Sequence, residues 1–166
     1  GIDAEVADNV SLMKKRKIPP KQIYNASLVY TFFKYKYKDI DLSIDEHEQR
    51  KGKCTILTIC NGQVYGGGYK IAPNARLTDG YLDVYYVEKV NKAIIPSLIN
   101  MLKKGIHESH NKVHKSHATK VNFKCDKEFV CNIDGEIMKD KKFSVKIIPN
   151  SLTIYNDKEL IKEFIK

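Results

Sequence analysis

Arginine is scarce in this chain. Arg16, Arg50 and Arg76 are three of 29 Lys and Arg residues, so the planar, bidentate reading of phosphates or base edges that arginine supplies is not its design. Long apolar runs are missing too. None approaches the roughly 18–20 residues that span a bilayer, and no secretory leader is expected at the start. Cys54, Cys60, Cys125 and Cys131 include no Cys-x-x-Cys pair, which removes the zinc-ribbon and thioredoxin spacings. They stand in strand-like sequence as small hydrophobes suited to a reducing cytosol, although Cys125 and Cys131 flank a turn across which they could face one another. Gly66-Gly67-Gly68 lead into no Gly-Lys-Ser/Thr and open no helix, so they are not a P-loop.

What remains is ordinary in size and unusual in charge. At 166 residues, 42% hydrophobic and 30% charged, the chain reads as one soluble globular domain with a real core. Its formal net charge of +9 favours an anionic partner, whether phosphate, nucleic acid or an acidic membrane surface. A surface of solvated lysines explains the charge equally well. The chain opens on Gly1-Ile2-Asp3-Ala4-Glu5-Val6 and not on Met, which is expected of a piece cut from a longer fold.

Apolar spacing predicts a helix over Asp3–Lys17, ended by Ile18-Pro19-Pro20, and a second from Pro20 to about Lys36. The period then changes. Ile40, Leu42 and Ile44 alternate with polar residues, which predicts a strand with one wet face. Glu46–Lys53 reads as a charged turn, and Cys54–Cys60 as the returning strand of a hairpin. A strand is expected at Leu82–Val87. Asn91–Lys104 is the clearest helix, with Asn91 as cap, an apolar stripe through Ile94, Ile95, Leu98, Ile99 and Leu102, and Gly105 to close it. Pro96 falls early enough to shift its start. Lys120–Lys124, Phe129–Ile133, Phe143–Ile148 and Ser151–Tyr155 read as further strands, and 157–166 as a short helix or tail. Many short antiparallel strands with a few helices predict a β-sandwich.

The chain is organised around Asn61–Val87, where three glycines, a proline and an Asp-Gly turn lie between two apolar strands. Such a loop is where a binding site is built. Asp79 with neighbouring backbone carbonyls offers the hard oxygens Mg²⁺ prefers; a plain Asp-Gly turn is the alternative. Asp134-Gly135-Glu136 carries the commonest hairpin turn signal. His107, His110, His114 and His117 recur at three, four and three residues. On a helix they would form a metal-binding stripe, but Gly105 ends the helix before them, so a solvated basic connection is expected.

Asn61-Gly62, Gly66-Gly67-Gly68, Ile71-Ala72-Pro73-x-Ala75, Leu77-x-Asp79-Gly80-x-Leu82-Asp83 and Asp134-Gly135-Glu136 follow one another over most of the chain. In that order and spacing they resemble the C-terminal domain of the diacylglycerol kinase and sphingosine kinase lipid-kinase family. The resemblance implies a mainly β fold with added helices, a two-layer antiparallel β-sandwich over residues 1–156. It implies that 157–166 is a tail packing on an N-terminal nucleotide-binding domain. It also implies ATP-dependent phosphorylation of a hydroxyl of diacylglycerol or a related lipid. Glu136 matches the general base; Asp134 beside it is expected to set the turn or to orient Glu136. Mg²⁺ would be held by the Asp79 side chain and the carbonyls of Arg76 and Tyr81. The family's phosphate-binding Gly-Gly-Asp-Gly-Thr is absent here, so ATP as co-substrate belongs to the other domain and the chain alone is expected to be inactive. The implied partners are the lipid and an anionic membrane, with no nucleic acid, and the implied location is cytoplasmic at the inner membrane surface.

Three rival readings are a non-catalytic basic β-sandwich binding anionic lipid or nucleic acid, a histidine metal module, and a distantly related NAD kinase. The Gly-Gly-Gly-x-x-Ile-Ala-Pro run fits the lipid kinases better than the last.

Overall fold

The computed structural model describes residues 4–6, 8, 9, 31, 34–65 and 68–153. The two expected N-terminal helices therefore lie almost wholly outside the described residues, as do Gly66, Gly67 and everything after Thr153.

Strand β1 (Lys38–Ile44) buries Ile40, Leu42 and Ile44 and leaves Asp41 and Ser43 on the other side. It turns at Asp45 and Glu46, both at positive φ (45° and 64°), with His47 N–H donating to Ile44 C=O at 3.1 Å. Such a mirror-image two-residue turn suits the twist of a hairpin. Because the turn is this tight, β2 starts at once and runs Glu48–Cys60. The expected charged turn at Glu46–Lys53 is therefore corrected: most of it is strand. Gln49, Lys51 and Lys53 simply occupy the wet face, opposite Ser43, Asp41 and Asp39.

Strand β3 (Leu82–Glu88) pairs with the second half of β2, and β4 (Val113–Ala118) with β3. Strand β5 (Lys120–Ile133) pairs with β1, and β6 (Glu136–Lys146) with β5. All pairs are antiparallel, in the order β4-β3-β2-β1-β5-β6. Sequence patterning missed β4 altogether. The expected strand at Ser151–Tyr155 is not present over 151–153, because β6 ends at Lys146 and the chain then turns at Pro149 and Asn150, the latter at φ 54°.

Connectivity forces this sheet to fold over. Only Thr119 joins β4 to β5, yet β3, β2 and β1 lie between them in the sheet. In a flat sheet β4 and β5 would stand about 19 Å apart, whereas a one-residue link spans at most about 7.6 Å. The strands must therefore stack in two layers. One layer is β4, β3 and the second half of β2; the other is the first half of β2, β1, β5 and β6. Strand β2 passes between them at the irregularity between Cys54 and Ile56, and β4–β5 at Thr119, as strands that switch sheets do. Leu42, Ile44, Val84, Tyr86, Val121 and Phe123 fill the space between the layers. The fold is the expected mainly β, sandwich-like one.

Asp45 fastens the corner. Its carboxylate accepts from Thr119 N–H (3.0 Å to each oxygen), Thr119 O–H (2.8 Å) and Lys120 N–H (2.7 Å). Burial pushes its pKa up, but these hydrogen bonds outweigh that and hold it below the ordinary aspartate value.

Strand β3 is buried on both faces from Leu82 to Val87 because helix α1 (Ile95–Lys104) covers the outside of its layer. Asn91 Oδ1 accepts from Ala93 N–H at 3.0 Å and caps a short 3₁₀ turn, Lys92–Ile94, so the α-helix itself begins one turn late with Pro96 in its first turn. Gly105 closes it at φ 71°. Ile95 and Leu98 pack with Val87, and Leu102 with Tyr85, Ile71, Ala72 and Ala75. Each such side chain contributes about 1.5–3 kcal/mol by leaving water.

Candidate functional site

Asp134 and Gly135 form a second two-residue turn at positive φ (47° and 101°), between β5 and β6. Gly135 N–H donates to Asn132 Oδ1 at 3.0 Å, which sets the turn before any ligand arrives. Beyond a register shift after Lys124, residues Phe129–Ile133 pair only with Glu136–Asp140 and form a two-stranded arm. Glu136 begins β6 at the tip of that arm. It is exposed, and among the described residues no hydrogen bond or ion pair engages its carboxylate.

Asp79 lies on the exposed turn that leads into β3. One of its oxygens accepts from Tyr81 N–H at 2.9 Å, and Gly80 takes φ 79°. Arg76, Asp79 and Tyr81 thus fall on one short turn whose free oxygens are of the hard kind. This donor set fits Mg²⁺ chemically. The turn and Glu136 are not brought together: Leu82 pairs with Ala118 beside the Thr119 corner, whereas Glu136 is at the far end of β5. Between them runs roughly 43 Å of extended strand.

The four histidines do not form a stripe. His107 is buried, only 1% exposed, in the 3₁₀ turn His107–Ser109. His114 and His117 are on β4, an odd number of residues apart and so on opposite faces. His114 Nε2 meets Glu88 at 2.8 Å and His117 Nε2 meets Asp83 at 3.3 Å. The expected solvated connection is therefore corrected, since the segment after Gly105 includes a buried turn and a strand. Among the described residues no three His, Cys, Asp or Glu side chains are gathered as a metal site. The four cysteines form no disulfide.

Sequence reasoning missed a polar network on the outer face of the β3–β4 layer. Asp83, 1% exposed, meets Lys115 Nζ at 3.2 Å as well as His117. These are charge contacts, since Asp83 Oδ1 makes no well-aligned hydrogen bond. Lys115 also lies 3.5 Å from Glu108 Oε1, which accepts from the Tyr85 hydroxyl at 2.5 Å and from Asn74 Nδ2 at 3.5 Å. Burial first, and then Glu108, pushes the Tyr85 hydroxyl pKa far up. Burial raises the Glu108 pKa, but Tyr85 and Lys115 together bring it below the ordinary value. His107 Nε2 is 3.0 Å from Ile71 C=O, so that nitrogen carries the proton. Burial lowers the His107 pKa and keeps the ring neutral. One signal was available: a lone carboxylate inside the apolar run Leu82–Val87 marks a buried, paired charge.

A family model described as the YegS C-terminal NAD kinase beta sandwich-like domain matches residues 1–156. The chain belongs to that family. Among curated relatives of this YegS-type domain, a diacylglycerol kinase of Staphylococcus saprophyticus is 29% identical over 100 residues, covering 60% of this chain and 33% of its own. A probable lipid kinase YegS of Escherichia coli O1:K1 is 28% identical over 102 residues, covering 61% and 33%. A Bacillus anthracis crystal structure described as a candidate diacylglycerol kinase has the same fold, with a TM-score of 0.61 at 19% identity over 88% of this chain and 48% of its own. The YegS-type chain therefore spans about a third of the length of the curated relatives it matches. Those relatives are lipid kinases by name, and this is their C-terminal domain.

Proposed function

We propose that the chain is the substrate-side domain of an ATP-dependent lipid kinase that phosphorylates the hydroxyl of diacylglycerol or a related lipid. The observation that carries the reading is Glu136: an acidic side chain in the family's Asp-Gly-Glu position, exposed at the tip of a preset turn and engaged by no described residue. In the reaction the lipid oxygen bonds to the γ-phosphorus of ATP while the bond to the β–γ bridging oxygen breaks and ADP leaves. The hydroxyl proton passes to the Glu136 carboxylate. A carboxylate with no competing partner among the described residues is suited to accept it, and Asp134, in the left-handed region, sets the turn that presents it.

Asp79, with the carbonyls of Arg76 and Tyr81, would hold Mg²⁺. Bound there, the ion would supply charge neutralisation and stiffness to the turn, away from the proton transfer. ATP falls to the N-terminal nucleotide-binding domain, so this chain by itself does not turn over. Its lysines add attraction to an anionic membrane of about 1 kcal/mol per cation near the surface, consistent with work at the inner face of the cytoplasmic membrane.

The test uses the full-length protein in mixed micelles with ATP and diacylglycerol, sphingosine or ceramide. One lipid is expected to be phosphorylated, and Glu136→Gln is expected to lower kcat about 10²- to 10⁴-fold. Phosphorylation that survives the substitution would remove Glu136 from its role. If no lipid is phosphorylated and no ATP is bound, a non-catalytic module binding anionic lipid or nucleic acid becomes the better reading.

A further inference from the structure

Lys115 stands between two carboxylates on different elements, Asp83 at the start of β3 and Glu108 in the 3₁₀ turn after α1. On one side is Asp83, at 3.2 Å. Asp83 also holds His117, whose ring lies 6.4 Å from that of Tyr81 in the Asp79 turn. On the other side is Glu108, at 3.5 Å, which reaches Asn74 in the loop after Ile71-Ala72-Pro73. The neighbouring His107 ties the same loop at Ile71 C=O, 3.0 Å away. The Lys115 ammonium also rests over the Tyr85 ring, 5.7 Å from its centre, which limits where it can go.

Stability alone does not account for this arrangement. Asp83 is the buried member of the network, and replacing a buried ion pair by apolar residues of like size is often neutral or stabilising. The same sheet face carries Ile56, Val87 and Val113 as an apolar row two residues further along each strand from Tyr85. A charged network next to that row fixes a geometry that apolar packing does not, because the ammonium sets the separation of the two carboxylates. We propose that Lys115 is a positioning residue, the shared counter-charge of Asp83 and Glu108 that holds the Asp79 turn and the Ile71–Ala75 loop in one arrangement. It touches no reacting atom; it acts through the loops. The metal measurement below rests on the Mg²⁺ reading of the Asp79 turn, while the spectroscopic one does not.

The experiment compares the parent chain with Lys115→Met and Lys115→Arg. Amide NMR resonances are recorded without metal. In Lys115→Met those of Asn74, Gly80 and Tyr81 are expected to move while the β1–β5–β6 layer stays unchanged, and Lys115→Arg is expected to restore most of the shifts. Unchanged resonances at Asn74, Gly80 and Tyr81 would overturn the proposal. Should Lys115→Met not fold, the double variant Asp83→Asn/Lys115→Met removes both charges of the pair and is read in the same way. Mn²⁺ titration then follows, with Asp79→Asn as reference. Mn²⁺ binding is expected to weaken about 10- to 100-fold in Lys115→Met and to recover in Lys115→Arg. Equal binding in parent and Lys115→Met, where Asp79→Asn abolishes it, would also overturn the proposal. If Asp79→Asn leaves Mn²⁺ binding intact, the metal reading of the turn fails and the resonances alone decide on Lys115.

Discussion

Removing the Asp45 carboxylate should loosen the corner on which both layers depend. Three donors converge on it, from Thr119 N–H, Thr119 O–H and Lys120 N–H, at 2.7–3.0 Å. Hydrogen bonds to a charged group are worth about 1.5–3 kcal/mol each when buried, but this corner is open to water and the three are not additive, so Asp45→Ala is expected to lose about 2–3 kcal/mol in all. For a chain of this length that lowers the thermal midpoint by roughly 4–12 °C. Alanine also fits poorly at φ 45°, a value that asparagine tolerates. Asp45→Asn thus keeps the turn and isolates the charge, and should fall between Ala and the parent. The sign with pH follows from the lowered pKa. The folded carboxylate gives up its proton more readily than the unfolded one, so its contribution is present above the ordinary aspartate range and is lost as pH falls through the lowered value. Urea unfolding followed by circular dichroism at several pH values measures all of this. The parent and Asp45→Asn curves should converge in acid. An Asp45→Ala midpoint within about 2 °C of the parent, or a parent-to-Asn gap that does not narrow in acid, would refute the corner argument.

Two further outcomes are expected. Burial lowers the His107 pKa, so below the ordinary imidazole range the unfolded chain takes up a proton that the folded one refuses, and stability should drop as pH falls from there toward the lowered value. His107→Gln, which can still donate to Ile71 C=O, should flatten that part of the urea-midpoint profile. Gly105→Ala should cost about 1–2 kcal/mol in the same assay, because Gly105 sits at φ 71° and an added Cβ would meet the Lys70 side chain at 3.2 and 3.3 Å; an unchanged midpoint would mean that the helix ends differently in solution.

The residues determined whatever could be decided within a few neighbours. Ile40, Leu42 and Ile44 announced β1 because alternation is a property of the strand itself. Asn91 marked the 3₁₀ turn before α1, and Pro96 and Gly105 its first turn and its end, because caps act on adjacent backbone groups. Asp134-Gly135 announced its turn because those residue types tolerate positive φ. Spaced motifs identified the family and named Glu136 and Asp79 as candidates. Tertiary structure decided the rest. The β4 run Val-His-Lys-Ser-His-Ala looks like a polar loop, since its partners lie far along the chain: Glu88 for His114, Glu48 for Ser116, and Asp83 for Lys115 and His117. Thr119 is unremarkable until the sheet order demands a fold at that residue, and His107 reads as a solvated histidine until Ile71 closes over it. Local pattern reports which face of an element is apolar. A buried charge is settled only by the residue opposite it, and no local spacing reveals which residue that is.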